Sequence, residues 1–143
     1  TRCAHIVMSQ EAIAPLAKDD QYLRNGCYLY QRLPCKPRSG KRINVQFMLR
    51  MDQVAVVEGK LETPYEKGFF VKVHYYDGKG DRHLNNDGLG LREPLLGTHG
   101  WRRLQLFSEI PDEATEITLS FGLAAGVSGE AWIDDVETRY LDR

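Results

Sequence analysis

Ile43-Asn44-Val45-Gln46-Phe47-Met48-Leu49-Arg50 is the stretch that decides the fold class. Four large apolar residues at 43, 45, 47 and 49 alternate without a break with Asn44, Gln46, Met48 and Arg50. A helix would scatter those apolar positions around its whole circumference. A strand gathers them on one side. The same period of two recurs at 69–76, where Val71, Val73 and Tyr75 alternate with Lys72, His74 and Tyr76. Working outward, residues 4–8 (Ala-His-Ile-Val-Met) form a short strand. Residues 9–20 spell at most one helical turn, and Pro15 inside them makes the segment mostly loop. Asn25-Gly26 is a turn signal leading into a strand over 27–33, and Pro34, Pro37 and Ser39-Gly40 make the next connection. Further strands cover 101–107, 117–123 and 131–141, separated by Pro111-Asp112 and by Gly126-Val127-Ser128-Gly129. Residues 77–100, rich in Gly, Asn and Asp, are expected to be a long functional or mobile loop. Six or seven strands with turn signals between them and no sustained helical period predict an all-β fold. Its form is a two-sheet antiparallel β-sandwich.

At 143 residues the chain is read as one domain, 1–143, long enough to bury a two-layer core. Hydrophobic content of 42% and charged content of 27% exclude the disordered class. A net charge of −1 supplies no field to draw nucleic acid or an anionic membrane, and no apolar run approaches the roughly 18 residues of a membrane span. The chain begins at Thr1 without a signal-like segment, so it reads as a piece excised from a larger protein. Cys27 and Cys35 sit on one strand-like run, roughly 26 Å apart if extended, and do not bridge each other. A Cys3–Cys35 disulfide is open if residues 4–8 pair with 28–32; three thiols are the alternative.

Catalytic signals are thin. There is no His-Glu-x-x-His, no Gly-x-Ser-x-Gly and no phosphate-cradling glycine loop. A glycosidase needs two carboxylates about 5–9 Å apart across a cleft, and no strand pairs its acids convincingly. His5, His83 and His99 lack metal-ligand spacing and read as incidental. Asp77-Gly-Lys-Gly-Asp81 lacks the calcium-loop spacing and reads as a solvated turn.

If 43, 45, 47, 49, 71, 73 and 75 face the core, the alternate positions form one outer face: Asn44, Gln46, Met48, Arg50, Lys72, His74 and Tyr76. Amide, guanidinium, imidazole and phenol groups offer planar hydrogen-bond donors and acceptors to a polar ligand. Arg103 and Gln105 alternate similarly and extend the patch. Tyr76 is its stacking ring, since Tyr75 takes the core side. A second possible location is a loop end of the sandwich, drawing on Trp101 and residues 77–100.

The last third carries an ordered series: Gly100-Trp101-Arg102-Arg103-Leu104, Phe107, Ile110-Pro111, Ile117-Thr118-Leu119-Ser120-Phe121 and Gly129-Glu130-Ala131-Trp132-Ile133-Asp134-Asp135-Val136. It resembles the C-terminal half of carbohydrate-binding modules with a galactose-binding-like jelly roll, the relatives of xylan-, glucan- and mannan-binding modules. The strand at 27–33, the turn and long strand at 39–50, and Phe70 to Gly80 resemble the middle of those modules, so the likeness covers 26–141. The opening strand of that family is not recognisable, and residues 1–10 look like its second strand. The resemblance implies a jelly roll and non-catalytic carbohydrate binding. The partners it implies are an oligo- or polysaccharide and a covalently linked catalytic domain, in a secreted or cell-surface protein. It also implies that Trp101 and Trp132 are mostly core residues and that Asp134 or Asp135 gives a carboxylate to a structural calcium. A structural or adhesion sandwich that docks another protein, and a small jelly-roll glycan hydrolase or lyase, are the alternatives.

Overall fold

The computed structural model describes residues 3–8, 27–34, 42–57, 68–78, 82–91, 93–124 and 126–142. Among them there are eight strands and no helix: β1 (Ala4–Met8), β2 (Cys27–Pro34), β3 (Arg42–Val56), β4 (Phe69–Asp77), β5 (Arg82–Leu89), β6 (Gly97–Glu109), β7 (Glu116–Leu123) and β8 (Val127–Leu141). They form two four-stranded sheets, ordered β1-β8-β3-β6 and β2-β7-β4-β5. Every ladder is antiparallel. First pairs with last, second with seventh, third with sixth and fourth with fifth, which is the winding of a jelly roll.

Alternation builds the core. Ile43, Val45, Phe47 and Leu49 of one sheet face Val71, Val73, Tyr75, Ile117, Leu119 and Phe121 of the other, all buried. Phe47 and Phe121 meet edge to face across the two layers, 5.2 Å between centroids, the arrangement ring quadrupoles favour. Tyr75, on the core side as its alternation required, donates its hydroxyl to Ser108 Oγ at 2.6 Å. That bond joins β4 to β6 and satisfies the polar ends of two buried side chains.

The structure corrects three expectations. The segment 77–100 holds β5 and the start of β6 rather than a loop; its strand signal is masked because Gly, Asn and Asp have low β-propensity. The β3 and β8 strands run to 15 residues each, past the clean alternation, because bulges absorb the irregular positions. At one of them Gln53 has φ 50 and Gly129 packs against it. A Cβ on Gly129 would lie 2.7 Å from Gln53 O, so this contact requires glycine. Finally, β1 pairs with β8 and not with β2. The premise for a Cys3–Cys35 bridge therefore fails, and Cys3 is a free, exposed thiol. The calls on 9–20, Asn25-Gly26, Cys35, Pro37, Ser39-Gly40 and Asp81 lie outside the described residues.

Candidate functional site

The nine sequence-selected binding residues do not share one face. β3 and β4 lie in different sheets, so outward positions on the two strands point away from each other. Asn44, Gln46, Arg50, Trp101, Arg103 and Gln105 lie on the exterior of the β1-β8-β3-β6 sheet; Lys72, His74 and Tyr76 lie on the exterior of the β2-β7-β4-β5 sheet. The expectation of one combined patch is corrected on that ground. Alternation tells which side of a strand is core, but not which layer the strand joins.

On the first exterior the polar groups satisfy one another. Asn44 is only 3% exposed and donates to Leu106 O at 3.3 Å. Gln46 Nε2 donates to Asn44 Oδ1 at 3.0 Å, and Arg103 donates to Gln46 Oε1 at 3.3 Å. The two tryptophans are not core residues. Trp101 is 45% exposed. Trp132, opposite both His5 and Arg50 in the ladders, is half-buried on the outer surface. Its ring stacks on His5 at 4.6 Å and lies under the Arg50 guanidinium at 4.7 Å. His5 in turn bonds Glu130 Oε2 at 2.9 Å. His5 thus has a structural role that its spacing did not reveal. Ala131 and Ile133 are buried, so Trp132 between them faces out; the unbroken apolar run Ala131-Trp132-Ile133 carries no sequence signal for its side.

The second exterior is built differently. Its central strand β7 presents Thr118, Ser120 and Gly122 outward, opposite Arg32, Tyr30 and Tyr28 on β2 and opposite His74, Lys72 and Phe70 on β4. Small groups in the middle strand with larger ones on both neighbours make a trough along β7. Tyr30, 62% exposed, and Arg32 stand on one wall. On the other wall His74 stacks on Tyr76, 6.3 Å between centroids at 16°, and the Lys72 amine sits 4.9 Å above the buried Phe70 ring. Burial pushes the Lys72 amine below its ordinary pKa, because partial desolvation disfavours the charged form. Arg32 Nε meets Glu116 Oε1 at 3.1 Å at one end of the trough. Tyr30 and Arg32 went unnoticed in the sequence, although Tyr28, Tyr30 and Arg32 alternate with Leu29, Gln31 and Leu33.

No protein-family model and no curated protein sequence matches the chain. Solved structures do. A family 4 carbohydrate-binding module superposes with a TM-score of 0.57 at 15% identity, over 97% of this chain and 72% of that one. The two share the jelly-roll fold. This jelly roll is also similar to part of the enzymatically active domain of tailspike protein 4 from bacteriophage CBA120, with a TM-score of 0.56 at 12% identity. There the match covers 80% of this chain and 14% of that one. At these identities the likeness is one of fold.

Within this jelly roll, Asp134 and Asp135 occupy a bulge of β8. Asp135 has φ 50 and its amide donates to Asp134 Oδ1 at 2.8 Å. Calcium takes six to eight oxygens. Among the described residues no group of three or more His, Cys, Asp or Glu side chains is placed to hold a metal ion. The local bond holds the left-handed bulge.

Proposed function

We propose that this domain binds carbohydrate without cleaving it, through the trough of the β2-β7-β4-β5 sheet. The observation that carries the reading is the small-residue floor of Thr118, Ser120 and Gly122, with Tyr30 and Arg32 on one side, Lys72 and His74 on the other, and Tyr76 one step beyond, opposite Glu116. A sugar chain is a ribbon with apolar faces and hydroxyl edges. It needs a groove of its own width, a ring to stack on, and fixed polar groups. Tyr30 and Tyr76 serve as the rings; Arg32, Lys72, His74 and Ser120 serve the hydroxyls. Hydrolysis needs two cooperating carboxylates; among the described side chains this exterior carries Glu116, already engaged by Arg32. In this reading the domain keeps a linked glycan-active enzyme close to its polymer by raising local concentration. That role suits a secreted or surface protein and a saccharide partner.

The test is calorimetric titration with xylo-, gluco-, manno- and galacto-oligosaccharides, with reducing-sugar release measured on the same samples. Binding of at least one series without product release is the expected result. No binding to any of them, or turnover, would overturn the reading.

A further inference from the structure

Two neighbouring ladder rows cross the middle of the β2-β7-β4-β5 exterior on all four strands. Arg32, Thr118, His74 and Asn86 form one; Tyr30, Ser120, Lys72 and Gly88 form the next. Three of these eight residues are bases and none is an acid. The whole chain carries 19 Lys and Arg against 20 Asp and Glu, so bases without acids are not its average composition. Glu116 stands one row further along β7, where Arg32 Nε meets its Oε1 at 3.1 Å. A guanidinium has five N–H donors, so one such contact does not exhaust it.

We infer that the saccharide taken by this trough is an acidic one, carrying carboxylate or sulfate groups on its rings. The inference rests on the carbohydrate reading above and narrows it. A neutral sugar offers hydroxyls, which amide, hydroxyl and carboxylate side chains serve as well as bases do. What bases add is attraction for fixed negative charge. A guanidinium matches the oxygens of an anion two at a time, and an ammonium acts as a point charge. Arg32 and Lys72 stand on opposite sides of β7 in adjacent rows, so an anionic group over the Thr118 and Ser120 floor lies between them. Both floor hydroxyls are donors for it. The setting of Lys72 strengthens its part. Partial burial lowers its pKa because the charge is poorly solvated, and such a charge gains more from an anion than a fully hydrated amine does.

Calorimetry on the full chain with matched ligands tests the inference. Gluco-, manno- and galacto-oligosaccharides are each compared with their C6-oxidised uronate and 6-O-sulfated forms, which keep ring and linkage. In at least one series a charged member should bind at least about tenfold more tightly than the neutral one, the scale of one charge-assisted hydrogen bond. A larger gain for the uronate identifies a carboxylate ligand, and a larger gain for the sulfated form identifies a sulfated one. Arg32→Gln and Lys72→Met should each reduce the charged-to-neutral ratio at least about threefold, with circular dichroism melts showing that both variants fold. A ratio near one in every series, or a ratio that both variants leave unmoved, would overturn the inference. Neutral sugars that bind with no gain for the charged forms leave the carbohydrate reading standing; no binding by any member removes both.

Discussion

The two exteriors obey the same alternation and come out unlike because their middle strands differ. On the first, β3 presents Asn44, Gln46, Met48 and Arg50, long side chains that reach their neighbours and are consumed there. On the second, β7 presents Thr118, Ser120 and Gly122, short groups set between the larger ones of β2 and β4. A polar pattern on a strand therefore does not identify a binding face. What differs between the two surfaces is the size of the side chains on the middle strand.

That contrast can be broken at several points. The largest effect should come from what the faces share. Phe47→Ala removes a fully buried ring and its edge contact with Phe121, and should cost about 3–5 kcal/mol in urea unfolding. Next, Tyr30→Ala should weaken oligosaccharide binding by about 1–3 kcal/mol, the usual loss for an anchoring aromatic. Trp101→Ala should leave it unchanged in the same titration. The reverse result would move the sugar site to the other sheet. Trp132→Ala should cost about 1–2 kcal/mol of stability by freeing His5 and Arg50 from its ring, with sugar affinity preserved.

A finer distinction lies in pH. The Lys72 amine has a folded pKa below its unfolded value of 10.5, so the unfolded chain binds more protons between the two. Stability should rise with pH across that window. The contribution is present above 10.5 and lost as pH falls through the folded pKa. Lys72→Met should flatten the rise in melting temperature measured over that interval. The smallest effect is expected from chelator: with two aspartates closing a bulge between themselves, EDTA should leave the melting temperature unchanged. A clear drop would restore calcium to Asp134 and Asp135.

Much of the fold was legible and less of the site. The cores of β3, β4 and β7 follow directly from Ile43 to Leu49, Val71 to Tyr75 and Ile117 to Phe121, because burial on one side imposes a period of two. β5 was not legible, since its residues Arg82-His-Leu-Asn-Asn-Asp-Gly-Leu resemble a turn, and ladder pairing with β4 overrides that preference. That Tyr76, His74 and Lys72 share one exterior follows from alternation alone. Tyr30 and Arg32 share that exterior through β7. Partnership through a third strand is a long-range fact that no local pattern records. For the same reason Lys72 was placed beside Arg50, which lies across the core.

The nested pairing of the eight strands also sets how this chain must reach its native state. Asp77 of β4 and Arg82 of β5 pair with each other, so that hairpin closes at little entropic cost. Each outer pair then closes a longer loop, ending with β1 against β8, where His5 and Glu130 meet across 125 residues. With contacts this far apart in sequence, folding belongs to the millisecond-to-second regime of all-β sandwiches. The β1-β8 ladder should be the last to form. In pulse-labelled refolding, the amides of the row that ends in the His5–Trp132 stack should be the last to gain protection from hydrogen exchange.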